Sequence, residues 1–275
     1  MALSKVESIA IGGFDGMHIG HQQLFNELGK NGAIVVIETG YANLTPGTER
    51  EHYSHYPIVY YSLEDIRHLE GEEFVAMLWE RFPHLKKIVV GYDFHFGKNR
   101  RYSHANLGEL FEGEIKVIDQ VCIEGDSVHS HKIRTKIQIG DISGANRFLG
   151  HNYSIKGSVI KGQGIGKTDL VPTINLECPE YLLPNEGVYA ALTRIDGEEH
   201  FHPSVVFVGH RITTDGSYAV ESHILGENIP GCERATISFV KFLRKNQKFE
   251  SLESLKKAIN DDILNGRREL IHLSL

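Results

Sequence analysis

Cysteine is scarce in this sequence: three in 275 residues, Cys122, Cys178 and Cys232, odd in number and far apart. No disulfide framework and no CxxC metal pattern can be built from them, which excludes a disulfide-stapled scaffold and suits a reducing cytoplasm. Long apolar runs are also missing. None approaches the ~20 residues that cross a bilayer, and MALSKVESIA lacks the apolar core of a secretory leader. These absences predict a cytoplasmic protein with no membrane partner. Nor is there an excess of base, since 29 Lys+Arg against 36 Asp+Glu leave a formal charge of -7. That excludes a general nucleic-acid binder and leaves room for a local basic site that takes a phosphorylated small molecule. Fixed-period repeats, low-complexity tracts and long linkers are absent too. What remains is a globular composition, 41% hydrophobic and 24% charged, in a chain long enough for one or two domains.

Two rhythms divide the chain. In the first half, short Ile/Val-rich runs at 6–12, 33–38, 87–91 and 114–119 read as strands. Helix-period segments lie between them. Phe74, Leu78 and Phe82 form a stripe along 72–82, and Ser62, with Asp65 three residues on, reads as a helix cap. Strand–helix alternation predicts an α/β unit whose parallel sheet is covered on both faces. After about Gly150, strand-like pieces follow one another at 154–160, 187–195, 204–209, 218–225 and 236–243. Turn signals such as Asp196-Gly197 and Asp215-Gly216 separate them. That pattern predicts an antiparallel barrel or sandwich, closed by a helix over 252–264. The expected domains are 1–148 and 149–275.

The stretch IAIGGFDGMHIGH, residues 9–21, places a strand, a glycine turn and a helix start in succession. Backbone N–H groups and the helix dipole favour an anion at such a start. His18 and His21, three apart, share one face of the first turn, where two imidazoles can donate to phosphoryl oxygens as charge builds up. The G-x-G-x-x-G spacing of a dinucleotide fingerprint is absent.

GGFDGMHIGH resembles the GxFDGxHxGH motif of bacterial bifunctional riboflavin kinase/FMN adenylyltransferases, within the wider HxGH nucleotidyltransferases. The resemblance implies a Rossmann-like adenylyltransferase domain that joins FMN to the adenylyl group of ATP, with Mg²⁺, releasing pyrophosphate and making FAD. It assigns His18 and His21 to catalysis, and Gly12, Phe14, Asp15, Gly16 and Gly20 to ATP and phosphate binding. GYDFHFGKNR, residues 91–100, is similar to the family's GxDFxFGxxR segment. By that likeness Asp93 lies at the flavin phosphate and metal, and Phe94 and Phe96 at the flavin. VHSHKIR, residues 128–134, stands where the family has ISSTxIR. Ser130 and Arg134 keep the phosphate-contacting positions, while His129 and His131 replace hydroxyl residues. The family's proline-histidine-proline stretch is missing, and ETGYANLTPG stands in its place.

The second half resembles the riboflavin kinases. GSVIKGQGIGKTDLVPTIN, residues 157–175, is similar to GxVxxGxxxGRxLGFPTAN, with Lys167, Asp169, Leu170 and Val171 as departures. Glycine-rich loops can wrap a phosphate tail with backbone N–H groups. The resemblance gives Gly162, Gly166 and Lys167 to ATP, and Thr173 and Asn175 to Mg²⁺, a hard cation that takes oxygen ligands. AVESHIL, residues 219–225, resembles the family's VExHxL strand, whose glutamate is the general base for phosphorylating riboflavin to FMN. That role falls to Glu221. In the C-terminal tail, Arg244 and Phe249 correspond to lid residues over the flavin. His52 with His55, and His200 with His202, supply no credible zinc ligand set.

The expected partners are small molecules only, and the oligomeric state cannot be read from sequence. Two alternatives stay open at this point. One is a riboflavin kinase whose first domain transfers adenylate weakly or not at all; the other is a non-catalytic flavin- or nucleotide-responsive regulator.

Overall fold

Five parallel strands form the first sheet: β1 (Ser8–Gly12), β2 (Gly32–Glu38), β3 (Ile58–Ser62), β4 (Lys87–Gly91) and, after four short elements, β7 (Glu114–Ile118). This computed structural model describes residues 3–160, 171–213, 215–226 and 231–271. The strand order is β3-β2-β1-β4-β7, so the chain winds outward from β1 on one side and then returns to its other side. The switch point lies between β1 and β4, paired through Ser8–Lys87 to Ala10–Val89. Ligands of open α/β sheets lie at the carboxyl ends of strands at such a point. Here those ends carry the turn after Gly12 and the loop after Gly91.

Helix α1 (Ile19–Asn26) lies between β1 and β2; α2 (Leu63–Ile66) and α3 (Gly71–Arg81) lie between β3 and β4. The α3 stripe is real, with Phe74, Val75 and Leu78 buried, and Phe82 buried at its cap. Full burial of each such side chain is worth about 1.5–3 kcal/mol. Glu70 and Glu73 form its capping box. Ser62 does occupy the cap position of α2, but its side chain makes no capping hydrogen bond. The β5 (His95–Phe96) and β6 (Tyr102–Ser103) pair precedes α4 (His104–Leu110), and the β8 (Cys122–Ile123) and β9 (Asp126–Ser127) pair follows β7.

The second half is a closed six-stranded barrel in the order β10-β11-β14-β13-β12-β15. Its strands are β10 (Ser154–Ile160), β11 (Ile174–Glu177), β12 (Gly187–Ile195), β13 (His202–His210), β14 (Tyr218–Ile224) and β15 (Arg234–Lys245), all antiparallel to their neighbours. Inside it, Thr193 Oγ1 meets both Ser204 Oγ and Ser222 Oγ at 2.8 Å, so three buried hydroxyls satisfy one another. Helix α7 (Leu252–Leu270) starts at Ser251, whose hydroxyl accepts from Ser254 N.

Packing divides the chain into two compact units, Met1–Ser130 and His131–Leu275. Helix α5 (Ser130–Gln138) begins at that division, and α6 (Ile142–Leu149) belongs to the second unit. There Asn146 Nδ2 donates to the β15 carbonyl of Phe239 at 2.9 Å. This division by packing lies at 130/131, whereas the change of sequence rhythm lies near residue 150.

Candidate active sites

The turn after β1 is bent through the left-handed region at Phe14 (φ 48°), Gly16 (φ 88°) and Met17 (φ 43°). Only glycine takes that region without strain. Phe14 and Met17 are held there because both side chains are buried in the core beside Phe25 and Val36. Asp15 fixes the turn from the other side: Oδ1 accepts from Leu44 N (3.0 Å) and Thr45 N (2.9 Å), and Oδ2 from Asn43 N (3.3 Å). Gly16 N donates to Thr45 Oγ1 at 2.8 Å, and Ser130 Oγ donates to the Asp15 carbonyl at 2.8 Å. ETGYANLTPG, the departure from the family pattern, therefore clasps the HxGH turn. Asp15 and Ser130, expected at the nucleotide phosphates, direct these bonds to the turn itself, and the Phe14 ring belongs to the core.

His18 caps α1. Its Nδ1 accepts from His21 N at 3.3 Å, so a neutral His18 carries its proton on Nε2. The two imidazoles stack at 3.4 Å with 19° between planes. Gly20 follows from this arrangement, since a Cβ there would stand 3.1 Å from the His18 ring. Burial holds the His21 imidazole well below the usual histidine pKa, with the charges of His18, Arg50 and His129 acting in the same direction.

Arg50 was not legible in the sequence. It is 1% exposed, and its Nη1 donates to Glu38 Oε1 at 2.7 Å and to the Gly47 carbonyl at 2.9 Å. Among the described residues, His21 Nδ1 and Arg50 Nε are the buried side-chain atoms that lack a hydrogen-bond partner. Arg50→Met is expected to raise the His21 pKa, since it removes a positive charge and leaves Glu38 unpaired. Glu38→Gln should not raise it. An NMR titration of the His21 ring checks both, and a pKa unmoved in Arg50→Met would exclude Arg50 from setting that charge.

On the β4 side, Asp93 is exposed and Phe94 half-buried. A Cβ at Gly91 would stand 3.1 Å from Asp93 Oδ1, so the carboxylate folds back over the strand end. The Phe96 ring, expected at a flavin, is instead core, 4% exposed and 5.0 Å from Phe74. Of the residues of this loop expected at a ligand, Asp93 and Phe94 are the ones that keep exposed surface. Gln120 Nε2 donates to His129 Nε2 at 2.9 Å, so that ring nitrogen accepts. Arg134 lies half-buried on α5, in the second unit.

In the barrel, Gly162, Gly166 and Lys167 fall outside the described residues. Thr173 is exposed just ahead of β11, while Asn175, within it, is buried and stands opposite Glu221 of β14 in the strand register. His223 Nδ1 donates to the Pro172 carbonyl at 2.8 Å, pinning the approach to β11. Arg211 joins these residues, a contact that sequence reasoning missed. Its Nε and Nη2 donate to Glu221 Oε1 at 3.0 and 2.6 Å, and Nη2 also donates to Asn175 Oδ1 at 2.7 Å. Arg244, expected at the flavin, is held in a bidentate pair with buried Asp262 (2.8 and 2.7 Å) and lies 5.5 Å from the Phe249 ring. Burial raises the Asp262 pKa in spite of that pairing. The Arg244 guanidinium ties β15 to α7, and Phe249 is its underlay.

Residues 149–270 match the Flavokinase family, described as riboflavin kinase. A bifunctional riboflavin kinase/FMN adenylyltransferase of Pseudomonas fluorescens is 30% identical, over 94% of this chain and 91% of its own. A protein of the same description from Listeria monocytogenes is 28% identical, over 92% and 89%. A crystal structure described as a macrolide-efflux protein of Streptococcus pneumoniae superposes with a TM-score of 0.79 at 26% identity, covering 95% of this chain and 94% of the other. Among the described residues, no helix is long and apolar enough to cross a membrane.

Proposed function

Because this chain belongs to the bifunctional riboflavin kinase/FMN adenylyltransferase family, we propose that its two units carry the two successive steps of FAD synthesis. The barrel, in a functional domain of 149–275, phosphorylates riboflavin. Glu221 takes the proton of the terminal ribityl hydroxyl as that oxygen attacks the γ-phosphorus of ATP, and ADP leaves. The parallel-sheet domain, 1–148, then adenylylates FMN. An FMN phosphate oxygen attacks the α-phosphorus of a second ATP and pyrophosphate departs. His18 and His21 donate to the oxygens that gain charge, next to the helix start. Asp93 and Phe94 face the flavin phosphate from the neighbouring strand.

The Thr173 hydroxyl and the Asn175 side-chain oxygen are hard donors that suit Mg²⁺. Bound there with ATP, the metal would neutralise phosphate charge. No cluster of three or more His, Cys, Asp or Glu side chains suited to a metal occurs among the described residues. Water and, with ATP, phosphate oxygens would supply the remaining ligands. A cytoplasmic location and small molecules as the only ligands complete the reading.

The observation that carries it is the pair of stacked imidazoles at the switch point of one unit, in the same chain as a closed barrel with Glu221 opposite Asn175. The test is incubation of the protein with riboflavin, ATP and Mg²⁺, followed by chromatography of the flavins with fluorescence detection. FMN and then FAD are expected. FMN alone would confine activity to the barrel, and neither product would refute the reading.

A further inference from the structure

The contacts of Arg211 occupy oxygens of two residues that the kinase reading needs free. One guanidinium covers Glu221 Oε1 with two N–H groups and Asn175 Oδ1 with one. A carboxylate bonded in this way is a weak proton acceptor, because its charge is already stabilised. An amide oxygen that faces a guanidinium cannot also take a divalent cation without bringing two positive charges side by side. The arrangement satisfies both oxygens and suits neither of the roles given to them.

We propose that Arg211 is a displaceable counter-cation of the kinase site, a positioning residue that Mg²⁺-ATP must move off Asn175 and Glu221 before phosphoryl transfer. This rests on the kinase reading of those two residues. In the resting protein the guanidinium stands in for the metal's charge; when the metal–nucleotide arrives, metal binding and release of the base become one event.

The fold supplies a second position. Arg211 Nη1 already donates to Ser217 Oγ at 2.7 Å, and Asp215 Oδ2 lies 4.0 Å from it. The backbone closes the same turn, with Arg211 N donating to the Ser217 carbonyl at 2.9 Å and Gly216 N to the Arg211 carbonyl at 3.1 Å. The side chain can therefore pivot about Ser217 toward Asp215 while its backbone stays fixed. Ser217 N and Oγ in turn donate to Asp215 Oδ1, which keeps that acceptor in place.

The test uses Mn²⁺ alone as the probe, on the full chain without nucleotide. Paramagnetic broadening of the Asn175 and Glu221 amide signals reports this site apart from any metal held by the adenylyltransferase unit. Arg211→Gln, which removes the charge, is expected to reach half-broadening at about tenfold lower Mn²⁺ than the parent. Arg211→Lys, which keeps the charge on a smaller head, should lie near the parent. Adenylylation of supplied FMN by each variant, with a dispersed barrel spectrum, verifies the fold. Unchanged or weaker Mn²⁺ binding in Arg211→Gln would overturn the counter-cation role. Asn175→Ala separates the two ideas. If it abolishes the broadening while Arg211→Gln gains nothing, only the role of Arg211 falls; if it leaves the broadening intact, the metal assignment falls and this proposal with it.

Discussion

With His18 and His21 both replaced, the protein is expected to make FMN and stop there. Losing one preorganised donor to a developing oxyanion costs about 10²–10³-fold in turnover, and this change removes two. On the proposed assignment of Glu221, the barrel should still phosphorylate riboflavin at the parent rate, so FMN accumulates. The choice of replacement matters because His18 also caps α1 through Nδ1. Alanine would cost about 0.5–2 kcal/mol of helix stability in addition to the chemistry. His18→Asn keeps a capping oxygen and removes the imidazole. Paired with His21→Ala, it should block FAD formation as fully as the double alanine, with less loss of stability. Flavin chromatography reads both effects, and an undiminished FAD rate would refute the role given to the HxGH pair.

Glu221→Gln is expected to give the complementary phenotype. Glutamine keeps the shape of the side chain and an oxygen for Arg211, so the barrel should fold. The lost proton acceptor is worth about 10²–10⁴-fold. Riboflavin should remain unphosphorylated while supplied FMN is still converted to FAD. A parent rate of FMN formation would mean that the proton leaves by another route.

What the sequence disclosed follows from where each signal is stored. The central strands of the sheet are buried on both faces, so β1, β2 and β4 appear as continuous Ile/Val runs. Strand β3 (IVYYS) is an edge, half-buried and tyrosine-rich, and escaped that criterion. Strand β11 has four residues, too few to set a rhythm. The HxGH histidines were legible because a local spacing encodes them. Arg50 and Arg211 were not, because their partners are set by tertiary placement. Arg50 reaches Glu38 across a loop, and Arg211 reaches Glu221 only through the β13–β14 register, in which His210 faces Tyr218. Phe94 and Phe96 show the same limit. Both fit the motif and their rings stack at 5.7 Å, but Phe96 is enclosed by Phe74 and Tyr102 while Phe94 stays half-buried, a difference that only the fold decides.

The left-handed turn at Phe14, Gly16 and Met17 has a consequence for speed. Two non-glycine residues in that region cost on the order of 1–2 kcal/mol each, and core burial with the Asp15 clasp keeps them there. The strain is thus met when the chain folds and not when a nucleotide arrives. The site meets its ligand already shaped, with little loop ordering left to slow capture or to weaken affinity.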